Sequence, residues 1–292
     1  MASVVVVGSA NVDQVFSVER IPAPGETVLS TGFTTARGGK GQNQAVAAAR
    51  AGAHTTFIAA IGTDGFGDLT SEGLVDDGID VARVRRVSAP TGTALIAVDP
   101  SGENTIIVEA GANRELSSLD ADDRAVIAAA DVLVMQLEIP LPTVIESAAV
   151  GHDSGTTVIL NAAPIADLPV DLLSRLDVLV VNEHEAAHLS AAAGVVELTD
   201  LVPTVVTTLG AEGAVLHRRG QPEFRLPAPR VTAVDATGAG DTFCGALGAA
   251  LAEGQSLDAA LGFAVTAASL SVQGHGAVPS IPHRADIESA AR

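Results

Sequence analysis

Tyrosine and tryptophan are absent from this 292-residue chain, and only seven phenylalanines represent the aromatics. Proteins that grip single-stranded nucleic acid stack its bases on aromatic rings, so that class of partner is not expected. Basic residues are scarce too. Sixteen Lys and Arg face 35 Asp and Glu, a net charge of −19. With no basic cluster, neither a phosphate backbone nor an anionic membrane surface is an expected partner. No stretch of about 18 residues is free of glycine, proline and charge, which argues against a membrane-crossing helix. The opening Met1 to Gly8 lacks a basic leader region and reads as a strand, not as a signal peptide. The single cysteine, Cys244, cannot pair within the chain, which suits a reducing, cytoplasmic setting. Fifteen of the sixteen basic residues are arginine, and Lys40 is the only lysine. That imbalance, beside abundant Ala, Val, Gly and Asp, is the mark of a GC-rich genome.

What is present is a regular alternation. Ser3 to Gly8, Thr55 to Ile61, Val132 to Gln136, Val158 to Leu160, Val178 to Val181 and Val205 to Leu209 are apolar, β-branched runs. Such runs mark strands buried on both faces. Helical stretches intervene at Lys40 to Ala51, Phe66 to Asp76, Leu141 to Val150, Glu183 to Ala193, Asp241 to Glu253 and Leu257 to Val272. The alternation predicts an α/β fold, a doubly wound and mostly parallel sheet in one domain. Two segments, 12–37 and 91–110, break the pattern with short alternating runs and Pro/Gly turns. They read as a small antiparallel β lid, discontinuous in sequence, over the carboxyl ends of the strands.

Four groups of residues carry candidate chemistry. In Asp235-Ala236-Thr237-Gly238-Ala239-Gly240-Asp241, small residues lead into a helix. Backbone N–H groups at such a start make an anion site, and a carboxylate in its first turn is favoured. An ordinary capped helix after a glycine turn fits the same residues. The dinucleotide fingerprint fails, because Phe243 stands where its third glycine is needed. A P-loop fails as well, since Gly41 follows Lys40. In Arg37-Gly38-Gly39-Lys40-Gly41-Gln42-Asn43-Gln44, bare backbone surrounds the sole lysine, which suits a closely approaching polar ligand as well as a plain flexible turn. His184-Glu185-Ala186-Ala187-His188 matches the H-E-x-x-H zinc-hydrolase pattern, with Glu197 and His217 as candidate third ligands. Asn182-x-x-Glu185 competes for the same glutamate. Finally Asn11, Asp13 and Glu138 sit at strand ends, where open α/β sheets bind ligands.

Together these features resemble the ribokinase, or PfkB, family of carbohydrate kinases, from Asn11-Val12-Asp13 to Gly274-His275-Gly276 and Ser280. Gly38 to Ala45 resembles the family's N-terminal signature and Asp235 to Leu247 its C-terminal one. Pro24-Gly25-Glu26-Thr27 and Met135-Gln136-Leu137-Glu138 look most like the ribose-phosphorylating members. The resemblance implies transfer of the γ-phosphate of ATP to the O5 hydroxyl of D-ribose, with 2-deoxyribose, fructose or a nucleoside as alternative acceptors. It makes Asp241 the general base and Gly238, Ala239 and Gly240 the anion hole. Asn11, Asp13, Gly39, Asn43 and Glu138 would hold the sugar, with Lys40 reaching toward sugar and phosphate. Asn182 and Glu185 would organise Mg²⁺ through water, and Thr208 and Gly210 would line the nucleotide site. Asp235, Thr237, Ser271, Gly274, Gly276 and Ser280 match the family's K⁺ site, and the lid would pair two copies as a homodimer. Two departures stand out. Ala236 replaces the usual Thr or Pro, and the segment between Leu189 and Thr204 is short, which puts the packing of that sheet edge in question.

Overall fold

Alternate residues of the first strand, β1 (Ser3–Val7), enter different cores: Val4 and Val6 pack on one side, Val5 and Val7 on the other. A strand that buries both faces must lie inside a sheet covered twice, as its unbroken valine run predicts. The computed structural model describes residues 2–291. After β1 come β2 (Asn11–Ser17), β3 (Gly32–Gly38), α1 (Lys40–Arg50), β4 (His54–Gly62) and α2 (Gly65–Asp76). The chain continues through β5 (Val84–Val87), β6 (Gly92–Val98), β7 (Asn104–Glu109) and α3 (Ala121–Ala129). Strands and helices then alternate as β8 (Val132–Met135), α4 (Leu141–Ser154), β9 (Thr157–Asn161), α5 (Val170–Leu173), β10 (Val178–Asn182) and α6 (Glu183–Ala193). The remainder comprises β11 (Thr204–Thr208), β12 (Ala214–Arg218), β13 (Phe224–Leu226), α7 (Ala239–Ala252), α8 (Leu257–Ser271), α9 (Ala277–Ser280) and α10 (Arg284–Ala290).

The large sheet has nine strands in the order β13-β12-β11-β10-β9-β8-β1-β4-β5. All neighbours pair in parallel except at the β11–β12 and β12–β13 edge. From β1 the chain steps outward to β4 and β5, then returns to build β8 to β13 on the other side. The strand order therefore reverses between β1 and β8, and such a switch point opens a crevice beyond the carboxyl ends of the strands. The shortened segment after Leu189 leaves the sheet intact, because β10 and β11 pair in full register from Val178↔Thr204 to Asn182↔Thr208.

The two interrupting segments do form one separate four-stranded sheet, β3-β2-β6-β7. Its outer pairs, β2–β3 and β6–β7, are antiparallel as predicted. The central pair β2–β6, where the two segments meet, is parallel. A hairpin pattern specifies pairing within each segment but not the direction in which two hairpins join.

Only Phe57 and Phe243 among the phenylalanines are buried, so aliphatic side chains fill the core. The cluster beneath α1, α7 and α8 is rich in alanine, and small residues let elements approach closely. A Cβ on Gly245 of α7 would lie 2.4 Å from the Gln44 carbonyl and 2.5 Å from the Ala47 side chain of α1. Close crossing of α1 and α7 brings their N-terminal turns together, and the candidate site is built there. No helix among the described residues is long and apolar enough to cross a membrane.

Candidate active site

Gly39, with φ +89°, turns the chain from β3 into α1. A Cβ there would lie 2.7 Å from the Asn11 amide, and one on Gly41 would lie 2.5 Å from the Ser9 amide. The glycines thus seat this loop directly on the backbone after β1. Ser9 donates to Glu138 Oε2 at 2.6 Å, and the Lys40 N–H donates to the same oxygen at 3.0 Å. Glu138, just past β8, therefore bridges the crevice between β8 and the glycine loop. The Lys40 ammonium lies in the field of Asp241 first, then Glu138 and Glu185. These carboxylates outweigh burial and hold its pKa above the ordinary lysine value. Lys40 is a resident cation among carboxylates.

Asp241 occupies the first turn of α7 and is 6% exposed. Its Oδ2 accepts from Asn43 Nδ2 at 3.0 Å, and its Oδ1 accepts from Gln44 Nε2 at 3.0 Å. Asn43 is therefore engaged with Asp241 through its nitrogen, while its buried Oδ1 has no partner among the described residues. That orphaned acceptor is suited to a ligand hydroxyl. Asn11 lies in β2, and its Oδ1 accepts from Asn113 at 2.7 Å. Asn113 in turn accepts from the Ala10 amide at 2.9 Å. Asp13, two residues along the same face of β2, is pushed up to about 6 by burial, with Glu138 and Asp241 adding repulsion.

The turn before α7 brings Gly238 into the left-handed region, φ +76°, and a Cβ there would lie 2.8 Å from that of Ala277. Of the residues expected to form the anion hole, Ala239 spends its N–H on Ala236 O at 3.2 Å. The amides of Gly240 and Asp241 follow it in the first turn, where an α-helix offers no acceptor. With Gly238 shaping the turn, they leave two donors at the helix start, a place where an anion is favoured. Beside it lies a cavity of about 590 Å³ lined by Thr208, Gly210, Gly240, Phe243 and the mostly apolar segment from Ala228 to Ala233. That volume is within the usual range for small-molecule sites. Ala268 and Val272 of the 263–272 segment line it too.

Asp235 ties two loops together, accepting from the Thr237 N–H at 2.9 Å and the Gly276 N–H at 2.8 Å. Ser280 donates to the Gly276 carbonyl at 2.6 Å, and Ser271 donates back along α8 to Ala268 O at 2.9 Å. Gly274 packs on Ser280, where a Cβ would be 3.0 Å from the serine Cβ. The six residues expected at the K⁺ site thus converge on one corner behind the anion turn.

The structure divides the H-E-x-x-H match. Glu185 is buried in a capping box: its N–H donates to Asn182 Oδ1 at 2.9 Å, and its Oε2 accepts the Asn182 N–H at 2.8 Å. His184 and His188 are exposed, and His188 pairs with Asp167 at 2.8 Å. Among the described residues no group of three His, Cys, Asp or Glu is placed to hold a metal, so Glu197 and His217 complete no zinc centre. The hydrolase alternative has no support.

The pfkB family carbohydrate kinase model matches residues 1–284. The chain belongs to that family. A ribokinase from Haemophilus influenzae is 40% identical over 291 residues, spanning 96% of this chain and 95% of the relative. One from Bacillus subtilis is 38% identical, spanning 99% of both chains. The solved structure of Arabidopsis thaliana ribokinase complexed with ribose and ATP matches at TM-score 0.93 and 36% identity, covering 100% of this chain and 99% of that one. The convergence of α1, α7 and the β1–β8 crevice is the candidate active-site region. Asn113 and the Ala228–Ala233 wall carry no motif signal, whereas Gln44 lies inside the Gly38–Ala45 signature without its role being marked there. Asn113 sits in an unremarkable polar turn, and only the fold sets it against Ala10.

Proposed function

We propose that this carbohydrate kinase transfers the γ-phosphate of ATP to the O5 hydroxyl of D-ribose, with Asp241 as general base. One placement supports it most: the Asp241 carboxylate stands between the Asn11, Asp13 and Glu138 set and the Gly240–Asp241 amides. A polyhydroxylated acceptor on one side and a phosphate on the other meet at that carboxylate. The Arabidopsis relative solved with ribose and ATP supports the choice of sugar and nucleotide.

Ribose hydroxyls donate to Asp13, to Glu138 and to Asn43 Oδ1, while Asn11, with Gly39 beside it, shapes the rest of the wall. Asp241 takes the O5 proton as O5 attacks the γ-phosphorus and the bond to the β–γ bridging oxygen breaks, releasing ADP. Charge spreading over the phosphoryl oxygens meets the N–H groups that follow Gly238 and Ala239, and the Lys40 ammonium stands nearby. Preorganised donors of this kind supply most of the catalysis in phosphoryl transfer. Thr208 and Gly210 line the cavity in which the nucleotide sits. Oxygen donors at Asn182 and Glu185 suit a hard, water-carrying ion, and the capping box aims the carboxylate. Mg²⁺ held there would neutralise phosphate charge. The carbonyl, hydroxyl and carboxylate oxygens of Asp235, Thr237, Ser271, Gly274, Gly276 and Ser280 likewise suit K⁺, which would rigidify the turn carrying the anion hole.

Segments 12–37 and 91–110 act as a lid that excludes water from the γ-phosphate. By strand register Ile106 and Val108 share the face of Asp13, and both are exposed in one copy. A second lid packed there makes the homodimer. The lone, buried Cys244 fits a cytoplasmic enzyme.

A panel of ribose, 2-deoxyribose, fructose and nucleosides with ATP, read by ADP release with and without K⁺, tests the acceptor. Ribose is expected to have the highest kcat/KM, because a missing hydroxyl leaves buried polar partners unpaired. A higher value for a nucleoside or fructose overturns the assignment. Lys40→Ala is expected to lower kcat/KM by about 10–10²-fold through lost charge stabilisation, with the fold retained. Kinetics within twofold of the parent chain would remove Lys40 from the mechanism.

A further inference from the structure

Three buried amides form a relay that ends on Asp241. Gln44 and Gln136 are each fully buried, and Asn161 is 8% exposed. Gln136 Nε2 donates to Gln44 Oε1 at 2.9 Å. Gln44 Nε2 then donates to Asp241 Oδ1 at 3.0 Å and to Asn161 Oδ1 at 3.2 Å. Asn161 is oriented in its turn by donating to Val180 O at 3.4 Å. Every polar atom of the Gln44 amide is thus engaged, and its direction is fixed. Rotating it by half a turn would set its oxygen against the carboxylate and its nitrogen against the Gln136 N–H donors.

The arrangement carries a cost that packing alone does not explain. Gln136 Oε1 is buried with no hydrogen-bond partner among the described residues. It is also pressed so closely on Gly8 that a Cβ at that position would lie 2.0 Å away. A buried unpaired carbonyl oxygen is destabilising, and an aliphatic side chain of similar size would avoid the penalty. Gln136 earns its place through its nitrogen, which locks Gln44.

We propose that Gln44 is a positioning residue for Asp241, aimed by Gln136 and Asn161, and that it fixes the carboxylate for removal of the acceptor proton. Asn43 restrains one carboxylate oxygen and Gln44 the other, so the carboxylate plane is set by two amides from adjacent residues of α1. The proposal rests on Asp241 as the base, so its test must separate the two.

The test compares Gln44→Met, Gln136→Met, Asp241→Asn and the Gln44→Met/Asp241→Asn double variant by kcat, sugar KM and thermal unfolding. Gln44→Met is expected to lower kcat about tenfold with a smaller change in KM, because the carboxylate loses its fixed direction while the sugar contacts remain. Gln136→Met lowers kcat by less, with KM again nearly unchanged, and serves alone where Gln44→Met fails to fold. The double variant is expected to be no slower than Asp241→Asn, because residues acting through one group are non-additive. If Asp241→Asn is inactive while Gln44→Met and Gln136→Met leave kcat within twofold of the parent chain, the relay has no positioning role. An additive double variant overturns it also. A fully active Asp241→Asn variant instead removes the base itself.

Discussion

Replacement of Asp241 by asparagine is expected to lower kcat by about 10²–10⁴-fold while leaving ribose and ATP binding within a few-fold of the parent chain. The side chain is isosteric and buried, so the pocket keeps its volume. What changes is the proton acceptor, since an amide oxygen is too weak a base to take the O5 proton. The substitution also disturbs its neighbours in a defined way. Asn43 Nδ2 and Gln44 Nε2 both donate to the carboxylate. Only one can face the asparagine oxygen, and the other meets an NH₂ group. Loss of one hydrogen bond at this point costs about 1 kcal/mol of stability, which a 292-residue chain tolerates. Calorimetric binding of ribose and a steady-state ADP-release assay together decide the matter. Turnover within tenfold of the parent chain, with binding intact, would take the base role from Asp241 and leave only the anion turn as a source of rate.

Much of the framework was legible because the signals are local. The valine run of β1 announced a doubly buried strand, and Glu183–Ala193 has the boundaries its pattern predicted. Asn182-x-x-Glu185 was read as a metal motif and is also a capping box in which the same atoms close the helix start. What stayed hidden was non-local. The parallel β2–β6 join links segments far apart in the chain, and neither segment encodes the direction of the other. The β12–β13 edge and α3 are short or weakly patterned and gave no usable period. The engagement of the Ala239 N–H by Ala236 depends on the dihedral angles of the turn, not on residue type. Gln44 stands inside the glycine-loop motif, but the motif does not show that it meets Gln136 and Asn161, which come from two other strand ends. The residue types of the site were visible in the sequence. Which atom of each amide faces which neighbour was not.

Asp13→Asn should separate sugar binding from stability most sharply, with opposite signs for the two. In the folded chain burial first, then Glu138 and Asp241, raise the Asp13 carboxyl from 3.8 to about 6. The folded state therefore binds this proton more tightly than the unfolded state does. Stability from this group is fully present below about pH 4 and is lost as the pH rises through 6, so at neutral pH the ionised carboxylate opposes folding. The raised pKa corresponds to a penalty of up to about 2–3 kcal/mol. Asparagine carries no such penalty. The variant should unfold several degrees higher than the parent chain at pH 8, with the advantage vanishing at pH 4. Ribose affinity moves the other way. An ionised Asp13 accepts two hydroxyl donors, whereas the amide offers a single acceptor oxygen and a nitrogen that repels donors. The ribose KM is expected to rise by at least about tenfold, a loss of one charged hydrogen bond. In the parent chain that KM should itself climb as the pH falls below 6, and the variant should lose this dependence. A variant that is less stable at pH 8, or that keeps the acid rise in KM, would show that Asp13 neither strains the folded chain nor titrates against the sugar. The fold holds a mutually repelling set of carboxylates at the crevice, with Lys40 and the ligand hydroxyls as the groups that relieve it.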